Sequence, residues 1–178
     1  AQTNIVGFLD LLQAALDDVK TPIVILVGSS SELQPGDEGS ISETCRDNPL
    51  SLYEISKSTC RNFLREYSRS GLVQGRALLL SNVYGGSTSS VNDRGFMNRC
   101  FRNALEGEGI SFYEGGDFYR DYIHVSDVVS AIWAVATHDD LDNFETFVVG
   151  SGISIRIQDA LTILAEIVSE TFGHDVQV

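Results

Sequence analysis

Two apolar runs separated by a helical segment constrain the fold more than any other feature of this sequence. The runs, at residues 23–27 and 75–80, carry apolar side chains at consecutive rather than alternating positions, with Arg76 as the exception. Strands that are apolar on both faces are typical of parallel sheets covered by helices on both sides. Parallel strands need a crossover connection, and the periodicity of residues 53–68 predicts a helix there. The sequence therefore predicts an α/β fold with a parallel sheet and right-handed crossovers.

The remaining elements are predicted from the same periodicities. Further helices are expected at residues 4–16, 96–105, 126–136 and 155–172, and short strands at residues 110–113, 119–123 and 146–149. Thr3 or Asn4 is the expected N-terminal cap of the first helix. Gly71 is expected to end the helix that follows residue 53, because glycine accepts the left-handed conformation common after a helix.

Charge and cysteine content exclude several classes of partner. The 178 residues include 12 Lys and Arg against 25 Asp and Glu, which gives a net charge of −13. Such a charge repels nucleic acids and anionic membrane surfaces, so we expect neither as a partner. Cys45, Cys60 and Cys100 lack metal-site spacing, which favours reduced thiols in a cytoplasmic protein without structural metal. No run of 18 apolar residues predicts a membrane span.

Tyr53 and Lys57 are the first candidates for chemistry. They are four residues apart in a predicted helix, so their side chains share one face. A nearby ammonium favours phenolate, and we expect it to lower the pKa of Tyr53 and make the phenol an acid or base near neutral pH. The alternative is a solvated lysine beside a partly buried tyrosine, because this spacing is common on helix surfaces.

Polar residues follow both apolar runs. Ser29, Ser30 and Ser31 come after the first run, and Ser81 and Asn82 come after the second. The carboxyl ends of parallel strands meet at one edge of a sheet, so we expect these groups to share a crevice with the phenol and the ammonium. The alternative for the serines is a helix cap or a turn.

The order of these motifs resembles the extended short-chain dehydrogenase/reductase family, in its nucleotide-sugar epimerase, dehydratase and reductase branch. The motifs that carry the resemblance are Ser29-Ser30-Ser31, Tyr53-x-x-x-Lys57, Asn82-Val83-Tyr84-Gly85 and Arg120-Asp121-Tyr122-Ile123-His124-Val125. Residues 4–7, 48–53 and 149–152 are also similar to family segments, so the likeness runs from about residue 4 to residue 168. It implies a Rossmann-like, doubly wound parallel sheet with a small substrate-binding α/β portion.

The resemblance also implies roles for particular residues. Tyr53 would exchange a proton with a sugar hydroxyl or carbonyl, and Lys57 would bind the nicotinamide ribose of NAD or NADP. Ser31 (matching epimerases) or Ser30 (matching GDP-mannose dehydratases) would hydrogen-bond the reacting oxygen. Asn4 and Ser29 would join Tyr53 and Lys57 in binding the cofactor.

The substrate implied by the resemblance is a nucleotide sugar. Asn82 and Arg120 would bind its diphosphate, and Tyr113 would lie against its base. A guanidinium suits phosphate oxygens, although a surface ion pair is the alternative for Arg120. His124 is expected to be a capping or core histidine. No metal is implied, and a homodimer is expected from the family's habit of pairing through two long helices.

The domain organisation follows from the resemblance as well. Residues 1–85 would be the C-terminal half of a Rossmann-type domain, and residues 86–178 mainly the nucleotide-sugar-binding portion, with residues 120–136 and 146–149 returning to the sheet. The sequence has no glycine-rich dinucleotide turn. The chain is therefore expected to be the middle part of a longer subunit, and such a piece could be inactive by itself.

The expected function is NAD(P)-dependent nucleotide-sugar epimerisation by hydride transfer and tyrosine-mediated proton transfer. A reductase of 4-keto-6-deoxy nucleotide sugars and a dehydratase are alternatives, although Glu32 follows the serines without the Asp-Glu pair typical of 4,6-dehydratases. A nucleotide-binding module without catalysis is a further alternative, as is an interaction domain with Tyr53 and Lys57 on its surface.

Overall fold

A computed structural model describes residues 2–16, 20–36, 39–86, 95–110, 118–173 and 176–177. The chain divides into two compact units. Unit 1 comprises Ala1–Ser81 and Val128–Val149, and unit 2 comprises Asn82–Asp127 and Gly150–Val178. Among the described residues, no helix is both long enough and apolar enough to cross a membrane.

Helices and strands alternate along much of the chain. A π-helical turn, Gln2–Val6, leads into α1, and a 3-10 turn, Ser30–Glu32, follows β1. The labelled elements are α1 (Gly7–Ala15), β1 (Ile23–Ser29), α2 (Leu52–Arg69), β2 (Gln74–Leu80), β3 (Asn82–Tyr84), α3 (Phe96–Leu105), β4 (Tyr119–His124), α4 (Val125–Thr137), β5 (Phe144–Val149), β6 (Ser154–Arg156) and α5 (Ile157–Phe172).

Unit 1 contains a parallel sheet in the order β1-β2-β5. Leu26 pairs with Ala77, and Ala77 pairs in turn with Thr146. The predicted α/β fold with a parallel sheet is therefore confirmed. Of the segments expected to return to this sheet, β5 pairs with β2, whereas β4 with Arg120 lies in the sheet of unit 2.

The core of unit 1 forms where α1 and α2 meet β1. Leu12 of α1 and Leu64 of α2 are fully buried against Val24 and Leu26 of the strand. The prediction that β1 is buried on both faces is wrong, since burial alternates along it and Ile23 remains 44% exposed. The helices cover only one face of this strand, and β1 lies at the edge of the sheet in the described part of the chain.

Local signals explain both ends of α2. Ser51 accepts from the backbone N–H of Glu54, and the Glu54 carboxylate accepts from the N–H of Ser51, which forms a capping box. The helix ends at Arg69, and Gly71 follows with a φ of +71°, as predicted. The predicted cap of the first helix is wrong: Asn4 lies inside the π-helical turn, and its amide donates to the Ser56 hydroxyl instead.

Unit 2 combines a small mixed sheet with two helices. β3 pairs with β4 in parallel, and β4 pairs with β6 antiparallel. α3 and α5 pack through a core that includes Cys100, Ala104 and Leu161. The last helix begins at Ile157, later than predicted, because residues 154–156 extend as β6 alongside β4. The strand predicted at residues 110–113 lies almost wholly outside the described residues.

Candidate active site

Helix α2 brings Tyr53 and Lys57 together beside β1. The phenol lies in the first turn of the helix and is 55% exposed. The Lys57 ammonium lies 5.8 Å from the centre of the Tyr53 ring and donates to the Val27 carbonyl over 2.9 Å. The predicted side-by-side placement of the two groups is therefore confirmed, and Lys57 links α2 to β1.

The environment of Tyr53 changes its acidity in the direction opposite to our expectation. Partial burial raises the pKa of Tyr53, and the negative charge of Glu32 raises it further. Both effects disfavour phenolate. The expectation of a lowered pKa was wrong here because the spacing in sequence reveals the ammonium, but neither the burial of the phenol nor the nearby carboxylate.

Three serines lie at the end of β1, with Ser29 as its last residue and Ser30 and Ser31 in the 3-10 turn that follows. The Ser29 hydroxyl accepts from the Ser31 N–H and lies 2.8 Å from the Ser31 hydroxyl. Glu32 closes the turn by accepting from the Ser29 N–H over 2.8 Å, so the turn has its own capping box. The interpretation of Ser29 as a cap is thus confirmed, and the catalytic roles of Ser30 and Ser31 stay predictions.

Sequence reasoning missed a buried ionic cluster next to this turn. Glu32 and Arg61 are 0% and 3% exposed, and the Arg61 Nε donates to a Glu32 carboxylate oxygen over 3.1 Å. The Arg61 Nη2 also donates to Asp47 over 2.9 Å. Burial raises the pKa of Glu32, with the hydrogen bond from Ser29 and the charge of Arg61 acting against it. The available signal was Arg61, which follows Lys57 by one helical turn on the same face as Tyr53.

Asn4 contacts α2 through two polar groups. Its side-chain amide donates to the Ser56 hydroxyl over 2.8 Å, and its carbonyl accepts from the Cys60 thiol over 3.2 Å. These bonds attach the first helical turn to the helix that carries Tyr53. A cofactor contact by Asn4 or Ser29 stays a prediction.

The residues expected to bind diphosphate lie in unit 2. The Asn82 amide donates to the Asp121 carbonyl over 3.0 Å, which attaches β3 to β4. Arg120 is exposed, lies over the Phe118 ring at 5.4 Å and donates to the Tyr119 carbonyl. Among the described residues, its guanidinium makes no ion pair of the kind considered as the alternative. Tyr113 lies outside the described residues.

Asp121, next to Arg120, is a second residue that sequence reasoning missed. Its carboxylate accepts from the backbone N–H groups of Ser151 and Gly152 over 2.9 Å and 2.7 Å. A Cβ at Gly150 would lie 2.8 Å from a carboxylate oxygen of Asp121, so a side chain there would displace the carboxylate from its present position. Asp121 therefore attaches the turn at residues 150–152 to the strand that carries Arg120.

His124 has a structural role. Its Nδ1 accepts from the Ser126 N–H at the start of α4 and lies 2.8 Å from the Ser126 hydroxyl. Its ring contacts Tyr84 edge to face, with ring centres 5.3 Å apart. The prediction of a capping histidine is confirmed.

Unit 2 also contains a mostly apolar pocket of about 460 Å³. The residues that line it include Tyr84, Asn98, Ile163 and Ile167. The Asn98 amide bonds both the N–H and the carbonyl of Gly85, which leaves its polar atoms engaged. Among the described residues, no group of three or more potential metal ligands is present.

The expected site is thus assembled in two parts. The serine turn, Tyr53 and Lys57 come together within unit 1, whereas Asn82 and Arg120 belong to unit 2. The expectation that all of them share one crevice stays a prediction.

A sequence model of the NAD dependent epimerase/dehydratase family matches residues 1–150. The chain belongs to this family. Its relatives include the dTDP-L-rhamnose 4-epimerase of Burkholderia thailandensis, with 32% identity over 118 residues that cover 66% of this chain and 32% of that protein. The dTDP-glucose 4,6-dehydratase of Mycolicibacterium smegmatis is 26% identical over 189 residues, covering 98% of this chain and 55% of that protein.

Solved structures show the same fold. UDP-glucose 4-epimerase of Thermotoga maritima, in a complex with UDP-glucose, superposes with a TM-score of 0.81 at 24% identity. The match covers 99% of this chain and 56% of that one. The chain thus spans between about a third and just over half of the length of these relatives. The family's enzymes are NAD-dependent nucleotide-sugar epimerases and dehydratases, and the expected family and Rossmann-like fold are both confirmed.

Proposed function

We propose that this protein contributes the proton-transfer residues of a NAD-dependent nucleotide-sugar epimerase. One observation carries the proposal: a half-exposed phenol and an ammonium share a helix face beside the strand whose end bears three serines. Epimerisation at a carbinol carbon requires a group that takes a proton from the sugar hydroxyl and returns it. Tyr53 is that group in our proposal.

The neighbouring residues orient the sugar oxygen. A serine hydroxyl can donate to the reacting oxygen while the phenol exchanges its proton. The Ser31 hydroxyl already bonds that of Ser29, whereas among the described residues the Ser30 hydroxyl has no such bond. This difference supports Ser30 over Ser31 as the donor.

The donor set around Tyr53 fits a nicotinamide cofactor. The phenol and the Lys57 ammonium both offer hydrogen-bond donors at the carboxyl end of β1, where a ribose could accept from them. The cofactor, when bound, supplies the hydride acceptor for the sugar carbon. Lys57 would hold the ribose, and Asn4 and Ser29 would support this part of the site through α2 and the serine turn. NAD is the cofactor that the family supports, and use of NADP remains an untested alternative.

Unit 2 would bind the nucleotide diphosphate. Arg120 presents an exposed guanidinium on a strand that Asp121 and Asn82 brace through hydrogen bonds. A planar guanidinium can form paired bonds to phosphate oxygens, and it supplies local positive charge in a chain of net charge −13. We propose Arg120 and Asn82 as diphosphate ligands and Tyr113 as a contact of the base. Two copies of the protein would form a homodimer.

Tyr53→Phe tests the proposed function. The substitution removes the hydroxyl that exchanges the proton in our proposal. Turnover of UDP-glucose with NAD should therefore fall at least 100-fold, a loss within the range of general acid–base catalysis. The Kd of the substrate, measured by calorimetry, should change less than threefold. Tyr67→Phe is the matched control, because Tyr67 lies on the same helix and packs against the core. Equal turnover by wild type and Tyr53→Phe would exclude the proposed role.

A further inference from the structure

Glu32 and Arg61 form a buried ion pair to which the proposed chemistry assigns no role. Both side chains are almost completely shielded from solvent, at 0% and 3% exposure. Burying two charges is costly, and removing one partner leaves the other uncompensated. The contacts of Glu32 and Arg61 show which parts of the chain the pair holds together.

Both carboxylate oxygens of Glu32 are engaged. Oε1 accepts from the Ser29 N–H over 2.8 Å, and Oε2 accepts from the Arg61 Nε over 3.1 Å. The backbone carbonyl of Glu32 accepts from the Asn48 N–H over 2.8 Å. A single residue therefore joins the serine turn to α2 and to the loop that precedes α2.

Arg61 extends this connection along the helix. It lies one turn after Lys57 and two turns after Tyr53, and its Nη2 donates to Asp47 over 2.9 Å. Lys57 meanwhile donates to the Val27 carbonyl, two residues before Ser29. The helix that carries the phenol thus contacts β1 through Lys57 and the following turn through Arg61.

Gly28 allows the carboxylate to approach the strand. A Cβ at this position would lie 2.7 Å from the Glu32 Oε1 and 2.6 Å from the Leu79 Cδ2. Both distances are too short for a side chain, so the position admits only glycine while Glu32 occupies its site. The absence of a side chain at Gly28 therefore lets the Glu32 carboxylate lie close to the backbone of β1.

We propose that Glu32 and Arg61 are positioning residues that fix the serine turn relative to Tyr53 and Lys57. This inference rests on the proposed function, since it concerns the alignment of that same site. Glu32 does not act on substrate directly, because its oxygens are bound inside unit 1 and its side chain is shielded from solvent. Loss of the pair would let the turn shift, and a displacement of about 1 Å at a reacting group can cost roughly 100-fold in rate.

Glu32→Gln tests the proposal, with Glu66→Gln as the matched control. Glu66 forms an exposed ion pair with Arg69 on the same helix, 3.1 Å apart. Glutamine keeps the shape of glutamate but offers one acceptor oxygen where Ser29 and Arg61 need two. With NAD and UDP-glucose, we expect kcat to fall 10- to 100-fold in Glu32→Gln while KM changes less than threefold, and neither to change in Glu66→Gln.

Amide hydrogen exchange supplies a readout that does not depend on catalysis. The Ser29 N–H should exchange at least tenfold faster in Glu32→Gln than in wild type, with protection of the central strand β2 retained. Glu66→Gln should leave the exchange of Ser29 unchanged. If wild type shows no turnover of UDP-glucose, the proposed function fails, while the exchange rates still decide whether Glu32 holds the turn.

Arg61→Lys keeps the proposal testable if Glu32→Gln does not fold. Lysine retains the charge but has no planar fork to bond Glu32 and Asp47 together, so its effects on kcat and on Ser29 exchange should be intermediate. Unchanged kcat and exchange in either folded variant would overturn the proposal. Unfolding of both variants would also overturn it, because the pair would then stabilise unit 1 as a whole.

Discussion

Tyr53 shows how burial and a nearby charge change the chemistry that a motif predicts. Lys57 lies on the same helix face, but partial burial and the Glu32 carboxylate together raise the pKa of the phenol. The proton is therefore held on the phenol oxygen at neutral pH in this structure. A group that takes up a proton must first lose its own, so burial and the charge of Glu32 both make the proton-accepting form of Tyr53 harder to reach.

The two candidate serines can be separated by single substitutions. Ser30→Ala should lower kcat at least tenfold, because it removes the hydroxyl that we assign to the reacting oxygen. Ser31→Ala removes a hydroxyl that already bonds Ser29, so its effect should be smaller, less than fivefold. Steady-state kinetics with UDP-glucose and NAD would measure both effects. The reverse order would assign the role to Ser31.

Glu32 should make the stability of the protein depend on pH. Burial raises its pKa above the ordinary value of 4.5, so the native state binds a proton at this site more tightly than the unfolded state. The contribution of Glu32 to the free energy of unfolding is therefore fully present below about pH 4.5, and it is lost as the pH rises through the raised pKa.

Urea unfolding of wild type and Glu32→Gln at a series of pH values would isolate this contribution, because the other carboxyl groups are common to both proteins. The stability of wild type relative to the variant should decrease as the pH rises. An increase instead would mean that Arg61 outweighs burial and lowers the pKa of Glu32.

At the scale of elements, the contact between α2 and β2 depends on Gly75. A Cβ at Gly75 would lie 2.9 Å from both the Leu64 Cγ and the Phe144 Cδ2, and it would also meet the Ser68 hydroxyl. Gly75→Ala should lower the free energy of unfolding by about 1–3 kcal/mol, because an added methyl must displace packed neighbours. Urea denaturation would measure the change.

Gly7→Ala is the control for this substitution. No atom lies within 4 Å of a Cβ at Gly7, and alanine favours helix, so stability should stay equal or rise by up to about 1 kcal/mol. A loss at Gly7 as large as that at Gly75 would show that close packing is not the cause.

At the scale of the whole molecule, the net charge of −13 makes any anion site a local arrangement. A dinucleotide that binds the native protein at such a site should raise the free energy of unfolding, because it stabilises the native state by mass action. If NAD binds the native protein alone, a concentration 100 times its Kd should stabilise it by about 2.7 kcal/mol.

Thermal unfolding with NAD, with NADP and with neither would measure this effect. We expect NAD to raise the Tm and NADP to raise it less. Equal unfolding temperatures in all three solutions would contradict cofactor binding by this chain and favour a module without catalysis.

The sequence by itself determined most of the elements and their order, although it did not predict the short strands β3 and β6. Apolar runs, helical periodicity and Gly71 are local signals, and they predicted β1, β2 and the bounds of α2 to within one or two residues. The order of short motifs was also sufficient to recognise the family, because such motifs keep their sequence positions relative to the strand ends.

Only the tertiary structure decided which groups act on one another. Glu32, Arg61 and Asp47 lie up to 29 residues apart, so no local pattern predicts that they meet, or that Glu32 and Arg61 are buried. The direction of the Tyr53 pKa shift follows from the burial of the phenol and from the charge of Glu32. Burial and charge–charge distance depend on how distant segments pack, and for that reason the acidity of the site was set by the fold rather than by the spacing of Tyr53 and Lys57.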